Sequence, residues 1–105
     1  MNERDRPILA VLAERIRNRF PEAEVRLFGS RARGTSSTES DMDVCVILRK
    51  LDRQAREQIS HIAWEVGFEH DIVITTIKYS REEFFSGPRS VSPLTKNIMQ
   101  EGVPA

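Results

Sequence analysis

The segment "LFGSRARGTSSTESDMDVCVIL", Leu27 to Leu48, decides how the rest of the chain is arranged. It joins the end of one apolar run to the start of another through Gly29 and Ser30, two arginines, a polar spacer and a pair of aspartates. The run that leads into it, "EVRLF", alternates and stops at Gly29, which predicts a short strand. "DVCVIL" is nearly continuous and rich in β-branched residues, the pattern of a strand buried on both faces near the middle of a sheet. Between them, "SRARG" has room for only a turn or two of helix, and "TSSTES" reads as a polar loop.

Upstream, Ile8, Leu12, Ile16 and Phe20 recur at helical spacing between Pro7 and Pro21, so residues 6–20 read as an amphipathic helix with Asp5 as its expected N-cap. Downstream, Ala55, Ile59, Ile62, Ala63 and Val66 predict a helix over residues 52–66 that stops at Gly67. "DIVITT" follows as a second buried strand, beginning at Asp71. "SREE" at 80–83 carries a Ser-x-x-Glu capping box, and Ser92-Pro93 marks one more helix start with Gly102 past its end. The order of elements predicts a single domain over residues 1–105, an α/β fold with a small mixed sheet and helices on one side.

A chain of 105 residues, 39% hydrophobic and 30% charged, accommodates one modest core. Its apolar runs are far too short to span a bilayer, its first residues lack the pattern of a secretory signal, and its one cysteine has no internal partner, so a cytoplasmic protein is expected. Sixteen basic and sixteen acidic residues cancel, which removes the electrostatic footprint of a nucleic-acid coat. Any anion must be held locally.

The chemistry follows from the arrangement of the strands. Asp41 and Asp43 are two apart and leave one face of the strand they open. The 52–66 helix has the length of a crossover between parallel neighbours, which would bring the head of "DIVITT", with Asp71, beside them. Three carboxylates together repel, and the escapes are raised pKa values or a bound cation; for a cation, hard oxygen donors favour Mg²⁺ or Mn²⁺ over zinc. "EVRLF", antiparallel to "DVCVIL", would place Gly29 and Ser30 beside Asp41. There Gly29 admits close approach to the backbone, and the amides opening the next turn attract an anion. A phosphate cradle against a cation-binding carboxylate cluster suits nucleoside triphosphate chemistry.

"GSRARG", the spacer, "SDMDV" and "HDIVI" together resemble the minimal nucleotidyltransferases of the DNA polymerase β-like superfamily, antitoxin partners of HEPN-domain toxins; "LTKNIMQEGV" is similar to that family's ending. The resemblance implies transfer of AMP from ATP to a hydroxyl, with a tyrosine of a helical HEPN toxin as the acceptor, in a type VII-like toxin–antitoxin pair. It implies that Asp41, Asp43 and Asp71 hold the metal and carry catalysis, Asp71 helping to deprotonate the acceptor. Gly29 and Ser30 would grip the terminal phosphates, with Arg31, Arg33 and Ser40 as further nucleotide contacts. Neutralisation by binding alone, and transfer to a small molecule such as an antibiotic, are the rival expectations. No direct nucleic-acid or membrane partner is expected.

Several residues have simpler explanations. Gly29 and Gly34 form a G-x-x-x-x-G, but Thr35 stands where a P-loop needs lysine. Arg49, Lys50, Arg53 and Arg56 suit a solvated helix start, Cys45 a small core position, and His61 and His70 structural roles. Trp64 lies off its helix's apolar stripe and suits either a core edge or an interface.

Overall fold

The computed structural model describes residues 1–35 and 40–105; the "SSTE" part of the spacer lies outside the described residues. Strand β2, Met42–Leu48, is buried along its whole length except at Asp43. It can be so because it has a strand on either side and helices above and below. The sheet order is β3-β2-β1-β4, with β1 (Glu24–Phe28) antiparallel to β2 and β3 (Ile74–Ser80) parallel to it.

The apolar periodicities divide between two cores. On one face, Leu9, Leu12, Ala13 and Ile16 of helix α1 (Asp5–Arg19) and Ala55, Ile59, Ala63 and Val66 of helix α3 (Arg53–Glu69) pack against Met42, Val44, Val46 and Leu48. On the other, Cys45, Ile47 and Tyr79 meet Phe84 and Ile98 from the C-terminal helices α4 (Arg81–Phe85) and α5 (Pro93–Glu101). The expectation of helices on one side is therefore corrected. The tail folds back over the second face, because the inward alternate residues of β2 are apolar there too.

Both predicted caps of the tail form. Ser80 and Glu83 make the reciprocal capping box, and Ser92 accepts from the Thr95 amide ahead of Pro93. Past Gly102 the chain adds a strand the sequence did not announce, β4 (Val103–Pro104), paired with Leu27 and Arg26.

Three boundaries differ from expectation. Asp5 is not the N-cap of α1: it lies inside the first turn, 2% exposed, held by the buried Arg31 of the short helix α2 (Gly29–Arg33). Helix α3 runs past Gly67 to Glu69. Gly67 is needed for packing, since a Cβ there would lie 2.5 Å from the Ile72 carbonyl oxygen. Strand β3 begins at Ile74 rather than Asp71. His70 is the C-cap of α3, Asp71 takes the left-handed conformation with φ 54°, and the Ile72 and Asp71 amides bond back to the carbonyls of Gly67 and Phe68 at 2.9 and 3.4 Å. That is a Schellman closure with an aspartate where glycine is usual.

Candidate active site

The site grows from the antiparallel register of β1 and β2, which sets Phe28 opposite Asp43. The next residue, Gly29, turns the chain into α2 with φ +76°, and a Cβ built on it would lie 2.7 Å from Asp43 Oδ2. Only a glycine lets this backbone and that carboxylate share the corner. Met42 points into the α1/α3 core, so its neighbours Asp41 and Asp43 leave the opposite face. Asp41 is exposed and Asp43 half-buried.

Behind the pair, the thiol of Cys45 is buried in the second core. Burial pushes it up to about 12, which keeps it protonated and out of the chemistry.

The parallel register then places a residue that the sequence reading missed. Asp43 pairs with Thr75, not with Asp71, and Thr75 Oγ1 donates to Asp43 Oδ1 at 2.6 Å. Asp71 lines a groove of about 800 Å³ with Trp64, Phe68, Ile74 and Thr76, on the α3 side of the sheet. Ile74 packs on the first core and alternates with Thr75, so this is the face away from Asp43. The expected convergence of three carboxylates is thus corrected. Among the described residues no group of three His, Cys, Asp or Glu side chains is close enough to hold a metal ion.

A usable signal was present. The capping box fixes the end of β3 at Ser80, and counting back the length of β2 puts Thr75 level with Asp43.

The arginines also differ from expectation. Arg31 is buried, with Nη1 on Asp5 Oδ1 at 2.7 Å and Nε and Nη2 on the Ser40 carbonyl at 2.9 and 2.6 Å. It ties α1 and α2 to the approach to Asp41 rather than reaching for a ligand. Ser40 contributes through its backbone carbonyl in this network. Arg33 is exposed, and its Nη1 lies 3.3 Å from Glu101 of α5. Neither histidine is near: Nε2 of exposed His61 lies 2.8 Å from Glu65, and His70 Nδ1 is 2.8 Å from the Val66 carbonyl.

A divalent ion that keeps part of its water shell and takes one or two carboxylates plus substrate phosphates suits this donor set: two hard oxygen ligands at a corner left open by glycine.

A family model described as Nucleotidyltransferase domain matches residues 9–103. The chain belongs to that family. This nucleotidyltransferase-domain chain is 36% identical over 58 residues to the candidate protein adenylyltransferase MJ0141 of Methanocaldococcus jannaschii, a stretch covering 54% of this chain and 59% of that protein. In three dimensions it is similar to a chain of a toxin–antitoxin complex with AMP-PNP, with a TM-score of 0.60 and 22% identity, covering 89% of this chain and 68% of the other. It is also similar to a chain of the complex of tri-AMPylated Shewanella oneidensis HEPN toxin with MNT antitoxin, with a TM-score of 0.59 and 18% identity, covering 95% and 70%. At these identities the likeness establishes the mixed α/β nucleotidyltransferase fold. No helix among the described residues is long and apolar enough to cross a membrane.

Proposed function

We propose that this chain is a Mg²⁺-dependent protein adenylyltransferase that moves AMP from ATP to a hydroxyl, and that the acceptor is a tyrosine of a helical HEPN-type toxin for which it serves as antitoxin. The observation that carries the proposal is the meeting of Gly29 with Asp43, a backbone corner at which an added Cβ would lie 2.7 Å from the carboxylate oxygen.

In this account Gly29 admits the triphosphate to the backbone, and Ser30 with the amides opening α2 holds the terminal phosphates. Asp41 and Asp43 would hold a divalent cation, which would supply charge neutralisation at the phosphates. Thr75 fixes the Asp43 carboxylate, and Arg31 fixes the backbone leading to Asp41. The acceptor oxygen bonds to the α-phosphorus as the bond from that phosphorus to the bridging oxygen breaks. Pyrophosphate leaves with the electron pair, and the acceptor's proton passes to solvent. Arg33, exposed at the end of α2, is the side chain available to the incoming acceptor or the phosphates once it leaves Glu101.

A second reading is supported by Thr75, which stands where a third carboxylate would complete the cluster: neutralisation by binding alone. The two separate when the chain is incubated with α-labelled ATP and Mg²⁺, with and without the product of the adjacent gene, and the intact masses are measured. Addition of AMP to the partner, lost with Asp43→Asn, supports transfer. A tight complex with no added mass refutes transfer and leaves neutralisation by contact.

A further inference from the structure

Thr75 is more than a gap in the cluster. It is the parallel-register partner of Asp43, leaves the same face, and donates its hydroxyl proton to Oδ1 over 2.6 Å. A bond of this length to an ionised carboxylate is charge-assisted and fixes the plane of the group. With Oδ1 so held, Oδ2 is the oxygen presented at Gly29. A carboxylate at position 75 would repel Asp43, whereas the hydroxyl orients it. Asp71 does not substitute, because its groove opens on the α3 side of the sheet.

Resting on the proposed transferase function, we infer that Thr75 is the positioning residue for Asp43, and that the site works with two carboxylates and this hydroxyl. It then takes one divalent cation with its nucleotide rather than two, and β3 offers no carboxylate to receive the acceptor's proton. A phenol, which ionises near pH 10, suits such a site better than an aliphatic alcohol.

The test is titration of the full chain with Mn²⁺ and a non-hydrolysable ATP analogue, following free Mn²⁺ by electron paramagnetic resonance. The wild-type chain is expected to bind one Mn²⁺ per bound analogue. Thr75→Val is expected to weaken that ion about tenfold, as loss of a hydrogen bond to a metal-bound carboxylate does. Thr75→Ser restores it, and Thr75→Asp admits a second Mn²⁺. A merely structural threonine would lower the melting temperature of Thr75→Val and leave its Mn²⁺ affinity unchanged.

Wild-type affinity in Thr75→Val overturns the inference, as do two ions on the wild-type chain or a single ion on Thr75→Asp. The titration does not read transfer. A chain that moves no AMP yet shows this dependence on Thr75 keeps the inference and loses only the proposed activity.

Discussion

Replacing Gly29 with alanine puts a methyl carbon 2.7 Å from Asp43 Oδ2, on a backbone with φ +76°. The left-handed conformation alone costs an L-residue about 1–2 kcal/mol. The overlap falls on a side chain, which could rotate away were it not held by Thr75. Rotation breaks that bond, worth about 1 kcal/mol at an exposed hydroxyl, so Gly29→Ala should cost about 2–3 kcal/mol in all. Urea denaturation of Gly29→Ala, Thr75→Ala and the double variant isolates the shared part. With Thr75 truncated the carboxylate turns freely, and the second alanine should cost about 1 kcal/mol less than in the wild-type background. A cost under about 0.5 kcal/mol for Gly29→Ala, or strict additivity in the cycle, would refute the packing of this corner.

Asp71→Gly relieves a left-handed residue at the end of α3 and should stabilise the chain by about 1 kcal/mol, read as a raised urea midpoint; destabilisation would contradict the Schellman closure. Arg31→Met strands the buried Asp5 carboxylate and should cost about 3–5 kcal/mol, while adding Asp5→Leu should recover part of it. Ser80→Ala should cost about 1 kcal/mol through loss of the α4 cap. The Ser80 amide, aided by Arg89, holds the Glu83 carboxyl below its usual range. Its contribution is therefore present above the ordinary carboxylate pKa and is lost as pH falls through the depressed folded value. The melting-temperature difference between wild type and Glu83→Ala should be full at neutral pH and shrink in acid below the ordinary glutamate range; a difference that grew on acidification would contradict this.

Much of the fold was legible because local signals agreed with the tertiary outcome. The continuous apolar run of β2 marked a central strand, though the helices over its second face were not expected; the crossover length of α3 required a parallel neighbour, and the Ser80 and Ser92 caps fixed two helix starts. The meeting of Gly29 with Asp43 at one corner was legible for the same reason: both lie at strand ends whose register the apolar pattern sets. Where the reading failed, competing physics was at work. Gly67 looked like a helix stop, but its missing side chain admits the Ile72 carbonyl, so the helix continues and β3 starts later. That shift of register exchanges Asp71 for Thr75 at the site. Arg31 was expected at the nucleotide only because the family resemblance implied it, and nothing local reveals that Asp5 of a distant helix turn will bury it. Strand β4 carries too few residues to show any periodicity.

In the proposed transferase Asp43, oriented by Thr75 over Gly29, carries the chemistry and Asp71 does not. The most direct test compares AMP transfer to the partner by Asp43→Asn and Asp71→Asn at matched folded concentration. Loss of transfer in Asp43→Asn, with Asp71→Asn within about twofold of wild type, is predicted, because only the first removes a charge from the Gly29 corner where the proposed function places the phosphates. Equal loss in both variants, or loss in Asp71→Asn alone, would contradict it and return the third carboxylate to the site.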